Sequence, residues 1–213
     1  MERWDVINKL IEKNNFKSYL EIGLDNPDAN FNKINCATKH SVDPFFETDH
    51  GELCDVPVSD FEHSLKFLTF RMTSDEFFKT SSMKYDIIFI DGLHTERQCG
   101  KDIINALKHL NEGGYVIVHD CLPESYEAQA VPRIQDVWNG DLWKCFPELN
   151  KQFIEYEVIN HVYGLGIIKY TPDWEYLHYL DKSTYDWNDF LYNWYSLMHV
   201  ITEDEFLEKY INN

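Results

Sequence analysis

Two short polar clusters each follow an apolar run: Asp91-Gly92-Leu93-His94 after Asp86-Ile87-Ile88-Phe89-Ile90, and His119-Asp120-Cys121 after Tyr115 to Val118. Imidazole is the side chain that takes and releases protons near neutral pH, and carboxylates orient such groups or ligate divalent cations. In open α/β sheets the ligand crevice lies outside the carboxyl ends of the strands, so Asp91, His94, His119 and Asp120 are expected to converge on one rim. Tyr85 to Pro123 supplies the elements that put them there. It reads as a buried strand, an amphipathic helix and a second buried strand, one complete βαβ unit. Thr95 and Gln98 form a capping box for the helix, Ile103, Ala106, Leu107 and Leu110 make its apolar stripe, and Gly113-Gly114 is expected to end it.

Other strand ends carry candidates of their own. Trp4, Ile7, Leu10 and Ile11 share a helical face ahead of a first strand, Ser18 to Gly23, which leaves Glu21 at a strand end beside a glycine whose bare backbone lets a ligand approach. An ordinary strand-to-helix turn explains the same residues equally well. Pro27 opens a short helix that carries Phe31 and Ile34 inward. A second strand at His40 to Asp43 stops at Pro44. Asp43 stands roughly 20 positions after the glycine turn, where an acid in nucleoside sites accepts hydrogen bonds from ribose hydroxyls. A third strand, Phe67 to Met72, leads into the capping box Thr73-Ser74-Asp75-Glu76.

Beyond Pro123, a polar and aromatic connection from Glu124 to Leu149 follows the rim and is placed to cover it. Phe153 to Asn160 and Tyr163 to Tyr170 read as an antiparallel hairpin at the sheet edge, with Gly164 and Gly166 allowing close backbone approach. The tail, Tyr185 to Tyr210, sets Trp187, Phe190, Leu191, Trp194, Leu197, Met198 and Ile201 at helical spacing, with Thr202 to Glu205 capping a last turn. Such a face is more often docked or oligomeric than a ligand site, so a homo-oligomer formed through it is an expectation.

At 213 residues the chain suits one α/β domain. Its formal charge of −18 would repel phosphate backbones and anionic membrane surfaces, which excludes nucleic acid and membrane as expected partners. The opening residues include Glu2, Arg3 and Asp5 rather than a basic region and an apolar run, so a cytoplasmic location is expected. Five cysteines, Cys36, Cys54, Cys99, Cys121 and Cys145, with no CxxC pair, suit reduced structural thiols. The acidic run from Phe45 to His63, with Asp49, His50, Glu52, Cys54 and Asp55, reads as a solvated loop in preference to a metal cluster.

The glycine turn, the acids at successive strand ends and the terminal hairpin together resemble the class I S-adenosylmethionine-dependent methyltransferases. The chain is similar in particular to a small family, related to sugar O-methyltransferases, that carries Ile90-Asp91-Gly92-Leu93-His94 and Val118-His119-Asp120-Cys121-Leu122-Pro123. Pro132-Arg133-Ile134-Gln135, Asn139 to Lys144 and Gly164-Leu165-Gly166 extend the likeness, which spans Ser18 to Ile168. In place of the family's usual second glycine the chain reads Glu21-Ile22-Gly23-Leu24-Asp25.

The resemblance implies a single domain over residues 1–213: an N-terminal helix (1–17), a core (18–170) and a C-terminal helical extension (171–213). It implies a Rossmann-like doubly wound, mostly parallel seven-stranded sheet, an antiparallel C-terminal hairpin and an aromatic-rich C-terminal helix. The implied cofactor is S-adenosylmethionine, with Glu21 and Gly23 at its methionine end, Asp43 on the ribose, Ser74 and Asp75 near adenine and Asp91 near the amino-acid portion. The implied reaction methylates a hydroxyl of a sugar, glycan precursor or other small acceptor, with His119 or His94 as base beside Asp91. Related enzymes hold Mg²⁺ through one carboxylate after the fourth strand and two after the fifth. Asp91 and Asp120 match that pattern while His119 replaces a carboxylate, which leaves Mg²⁺ on Asp91 and Asp120, or a metal-free site with His119 as base, both open. Two other readings stand beside this one: an NAD(P)-dependent Rossmann oxidoreductase, disfavoured by the lack of GxGxxG, and a nucleoside-binding protein of the same fold without chemistry.

Overall fold

In the computed structural model, helix α1 (Arg3–Asn14) leads into β1 (Ser18–Ile22), β2 (Thr38–Val42) and β3 (Phe67–Phe70). Then follow α2 (Ser74–Thr80), β4 (Tyr85–Ile90), α3 (Glu96–Lys108), β5 (Leu110–His119), α4 (Tyr126–Gln129) and α5 (Cys145–Lys151). The hairpin β6 (Tyr156–Ile159) and β7 (Leu165–Lys169) precedes α6 (Trp187–Leu197), a two-residue β8 (Val200–Ile201) and α7 (Glu203–Phe206). The structure describes residues 1–45, 67–170, 172 and 183–213; the acidic run with Asp49, His50, Glu52, Cys54 and Asp55 lies outside them. Among the described residues no helix is long and apolar enough to cross a membrane. Cys36, Cys99, Cys121 and Cys145 are free thiols.

The strands form one sheet in the order β3-β2-β1-β4-β5-β7-β6-β8. The first five run parallel, β7 lies antiparallel to both β5 and β6, and β8 pairs in parallel with β6. Parallel strands need both faces covered, and alternate side chains of β4 separate accordingly. Ile88 and Ile90 pack with Phe77, Ile103, Leu107 and Phe146 on one face. Ile87 and Phe89 pack with Val6, Leu10, Phe31 and Phe206 on the other. This is the doubly wound, mostly parallel architecture read from the sequence, with the hairpin and aromatic helix at its end. It has eight strands where seven were expected. Ile201, placed on a helix by its spacing, is in β8, because α6 ends at Leu197 and His199 turns the chain at a φ of 46° to bring Val200 beside Val158.

Two local expectations are corrected. Helix α3 does not run to Gly113-Gly114; it ends at Lys108, capped by the N–H of His109, and both glycines belong to β5. The β4–β5 register shifts between Tyr85 and Ile87, where the Asp86 carboxylate accepts hydrogen bonds from the Lys17 and Ser18 N–H groups and from Asn111 Nδ2. A Cβ on Gly114 would lie 2.5 Å from the Asp86 carbonyl oxygen, so the strand can pass this knot only as glycine. The second correction concerns Gln98. Thr95 does accept from the Gln98 N–H at 3.3 Å, but the Gln98 amide does not fold back; it donates to Ser74 Oγ, Asp75 Oδ1 and Asp102 Oδ1. The Thr73–Glu76 box is complete, as expected.

Strand order reverses between β1 and β4, since the chain builds β2 and β3 on one side of this pair and β5 on the other. The carboxyl ends of these two strands therefore flank the crevice in which such sheets bind ligands.

Candidate active site

At that reversal a cavity of about 520 Å³ is lined by Gly23, Asp43, Ser74, Asp75 and Asp91, with Gln98 and Asp102 behind them. Five of the six residues expected along one ligand thus meet at a single opening of ordinary small-molecule size. Glu21 is the exception. It is 2% exposed and is not among the lining residues; Asn30 Nδ2 and the Tyr19 hydroxyl both donate to its carboxylate. Burial pushes that carboxyl up to about 7, against the pull of Tyr19 and Asn30.

Gly23 is required by backbone packing. Its φ is +84°, and a Cβ would sit 2.2 Å from the Asp91 carbonyl oxygen, so the β1 turn lies directly on the end of β4. Asp25 then takes a φ of 42°, a left-handed conformation that Asp tolerates better than most residues, and the turn closes without a second glycine. Asp43 holds this turn from the next strand. Its carboxylate accepts from the N–H groups of Leu24 (2.9 Å), Asp25 (3.2 Å) and Phe45 (2.8 Å).

On the β5 side of the cavity the four rim residues do converge. His94 Nε2 lies 3.2 Å from Asp91 Oδ1, and His94 Nδ1 lies 3.1 Å from the Trp138 carbonyl oxygen and 3.4 Å from Asp120 Oδ2. A carbonyl and a carboxylate can only accept, so this arrangement suits an imidazole that donates from both nitrogens. Burial opposes its charge, but Asp91, Asp120 and the Trp138 carbonyl outweigh that and raise its pKa. His119 Nδ1 is 3.3 Å from Asp120 Oδ2 and 3.5 Å from Asp91 Oδ1, close enough for ion pairing but aligned for a hydrogen bond with neither. Burial works against its charge as well; the two carboxylates prevail and push it up to about 9. For Asp91, burial would favour the neutral acid, yet the two histidines hold it well below the usual carboxylate range. A base of ordinary imidazole pKa was the expectation, whereas Asp120 and Asp91 raise His119 above that range and favour its charged form.

Three members of the site were given no role from the sequence, although Asn139 opens one of the segments that carry the family likeness. Arg3 Nη1 donates to Asp91 Oδ2 at 2.7 Å. Asn139, 1% exposed, donates from Nδ2 to Asp120 Oδ1 at 2.8 Å, while its Oδ1 is buried without a partner among the described residues. Trp138 stacks on the His94 ring at 5.6 Å. Trp138 and Asn139 come from the connection expected to cover the rim, and Gly140 lets it in: a Cβ there would meet the His94 carbonyl oxygen at 1.7 Å. Asp120, at the centre, holds a left-handed φ of 62°, a strained conformation for a non-glycine residue at a strand end.

Asp91, His94 and Asp120 each offer one ligand atom, all within 4.8 Å of one another. Two carboxylates and an imidazole suit a divalent cation that accepts nitrogen better than they suit Mg²⁺, which favours oxygen alone.

A family described as a methyltransferase domain matches residues 13–121, just over half of the chain. A search of curated proteins finds no match. Among solved structures, the chain is similar to an O-methyltransferase from Bacillus cereus in complex with SAH, at 12% identity over 79% of this chain and 80% of that one, with a TM-score of 0.53. It is similar also to an SAH-bound methyltransferase from Podospora anserina, at 13% identity over 79% and 78% with a TM-score of 0.53. A third is a SAM-bound amino pentose methyltransferase from Micromonospora echinaspora, at 11% identity over 80% and 92% with a TM-score of 0.50. At these identities the likeness is one of fold, the Rossmann-like methyltransferase fold.

Proposed function

The chain belongs to the methyltransferase-domain family, and from that premise we propose that it transfers a methyl group from S-adenosylmethionine to a hydroxyl of a small acceptor, a sugar, glycan precursor or comparable polyhydroxylated molecule. The observation that carries this reading is the cavity at the β1/β4 reversal, which gathers Gly23, Asp43, Ser74, Asp75 and Asp91 beside a carboxylate–imidazole cluster. The SAM and SAH bound to proteins of the same fold support the choice of cofactor. The reading takes residues 1–213 as one catalytic domain. With a charge of −18, an acceptor in nucleic acid is disfavoured.

When bound, S-adenosylmethionine supplies an electrophilic methyl group on a sulfonium; the carbon–sulfur bond breaks as the acceptor oxygen takes the carbon. The chain's own residues do the remaining work. Asp43 and the Gly23 turn fix the cofactor's ribose and methionine ends, Ser74 and Asp75 border its adenine, and alignment of this kind is worth roughly 7–11 kcal/mol. His119 takes the proton of the acceptor hydroxyl, an effect of about 10²–10⁴ in rate, with Asp91 and Asp120 orienting its ring. To act so, His119 must first release the proton that Asp120 and Asp91 favour on it, so turnover should rise with pH through its raised pKa. His94, hydrogen-bonded at both nitrogens, positions Asp91; donating from both, it is less suited than His119 to the role of base that the resemblance also allowed it.

A second reading is favoured by the Asp91, His94 and Asp120 donor set: these residues would hold a divalent cation, whose Lewis acidity would lower the pKa of an acceptor hydroxyl. Mg²⁺ is the candidate that the resemblance implies, and Mn²⁺ fits the mixed donors better.

Calorimetric titration with S-adenosylhomocysteine and with NAD decides the cofactor. Binding of the first and not the second is expected, and the reverse would establish the oxidoreductase alternative. With an acceptor in hand, His119→Gln should reduce turnover by about 10²–10⁴ while leaving S-adenosylhomocysteine affinity intact. Unchanged turnover would remove His119 from the role of base.

A further inference from the structure

A second cavity, of about 700 Å³, is lined by the residues that follow the carboxylate–imidazole cluster after β5. The first is lined from the ends of β1, β2 and β4; the second from the segment after β5, the β6–β7 turn and α6, and in the sheet order β4 and β5 are neighbours. Two chain segments run from the cluster into it. Asp120 is followed by Leu122 and Glu124 in its wall, and Arg3, bonded to Asp91, is preceded by Glu2. The wall is stitched to the hairpin by the Leu122 N–H, which donates to the Tyr163 carbonyl at 2.7 Å. In-line transfer sets donor and acceptor on opposite sides of the moving group. A groove at the β5 end, next in the sheet to the β4 end that lines the cofactor cavity, is where such an acceptor would have to lie.

Its lining has a definite chemistry. Trp187, Leu191 and Trp194 stand at i, i+4 and i+7 on α6, so one face of the helix turns its rings into the groove. Phe190 stacks under Trp187 at 5.4 Å and is itself buried against Trp143, which fixes the Trp187 ring. Opposite stand Tyr163, Glu124 and His161, and the Nδ1 of His161 is enclosed without a hydrogen-bond partner among the described residues. Among the described residues the lining contains no Lys or Arg, while Glu2, Glu124 and Glu203 contribute to it. The Met1 ammonium also lines the groove but is already held by Glu203 at 2.8 Å, so an anion entering would lose hydration and have to displace a carboxylate in a wall that stays net acidic. Flat aromatic faces beside a few hydrogen-bonding groups match a ring with one apolar C–H face and a hydroxylated edge.

We infer that this groove is the acceptor subsite, and that the acceptor is a sugar ring bearing no phosphate or carboxylate, seated on Trp187 and Trp194 with the reacting hydroxyl toward the β5 end that carries His119 and others toward Glu124 and His161. The inference rests on the methyl-transfer reading and narrows its substrate: nucleotide-linked sugars, sugar phosphates and coenzyme A thioesters are rejected by charge.

The test is calorimetric titration of the full chain, with and without S-adenosylhomocysteine. The probes are the methyl glycosides of glucose, galactose, mannose and glucosamine, set against glucose 6-phosphate and UDP-glucose. Saturable binding of at least one glycoside is expected, with the phosphorylated sugars at least about tenfold weaker. Trp194→Ala should weaken the glycoside about fivefold to tenfold with S-adenosylhomocysteine affinity unchanged. Should that variant fail to fold, Glu124→Arg serves instead, and glucose 6-phosphate should then bind more tightly than to the parent chain. The inference is overturned if no glycoside binds, if the phosphorylated sugars bind as well, or if neither variant changes sugar affinity. Cofactor binding with no glycoside binding removes the subsite alone. Glycoside binding with no S-adenosylhomocysteine binding removes the methyl-transfer reading and leaves a sugar-binding groove.

Discussion

The Arg3 guanidinium bonds Asp91 across 2.7 Å, tying the first turn of α1 to the end of β4 although 88 residues separate the two. Both side chains are largely enclosed, and a charge-assisted bond in such a setting contributes more than one at the surface. Arg3→Met keeps most of the packing and removes the charge. It should lower unfolding free energy by about 1–3 kcal/mol, read by urea denaturation at neutral pH. Because Arg3 competes for Asp91 with any cation in the cavity, the same variant should also bind S-adenosylmethionine more tightly relative to S-adenosylhomocysteine. Equal stability of variant and parent would mean that the pair is only a contact.

Asp43 is a harder residue to test than its strand-end position suggested. Its carboxylate already receives three backbone N–H groups, two of them from the turn after Gly23, so replacing it disturbs the turn as well as any ribose contact. Asp43→Asn preserves shape and removes the charge that these donors favour. S-Adenosylhomocysteine affinity should fall about tenfold to a hundredfold by calorimetry, equivalent to one or two charge-assisted hydrogen bonds. His119→Gln, on the far side of Asp91, should leave that affinity unchanged. A matching loss in both variants would point to general damage to the cavity.

How far the site was legible depended on what held each residue. Asp91, His94, His119 and Asp120 could be placed together from sequence because two parallel strands, each an unbroken apolar run, end on the same side of a sheet. Arg3 and Asn139 could not, because their positions depend on how α1 and the loop after α4 pack, which no local periodicity records. In the fold, Asn111-Glu112-Gly113-Gly114 hid the first half of β5: polar and glycine residues there serve the Asp86 knot, and nothing in them alternates. Val200–Ile201 is too short a strand to show a period at all.

Two glycines separate steric need from conformational need. Gly113 and Gly23 have nearly equal φ, +80° and +84°, but a Cβ on Gly113 would meet nothing within 4 Å while one on Gly23 would meet the Asp91 carbonyl at 2.2 Å. Gly113→Ala should therefore cost only the left-handed penalty, about 1–2 kcal/mol. Gly23→Ala should cost more than about 4 kcal/mol or yield no folded protein, since the ends of β1 and β4 must part. Thermal melts of the two variants make the comparison; similar losses would show that the β1 turn can yield.

Glu21 makes stability depend on pH in a direction opposite to that of most carboxylates. Burial raises its folded pKa from 4.5 to about 7, so the folded state holds a proton that the unfolded chain releases. Below about pH 4.5 both states are protonated and the group is neutral in its effect. Between about 4.5 and 7 the unfolded chain ionises first, and stability falls as pH rises until the folded carboxyl ionises too. A shift of this size amounts to about 3 kcal/mol at most. Glu21→Gln keeps an oxygen that can accept from the Tyr19 hydroxyl and Asn30 Nδ2, and it cannot ionise. The variant should match the parent near pH 4 and exceed its unfolding free energy by up to about 3 kcal/mol at pH 8. Urea denaturation at those two pH values reads the difference directly. A constant offset between the two chains would mean that Glu21 stays ionised in the fold and that Tyr19 and Asn30, not burial, set its charge.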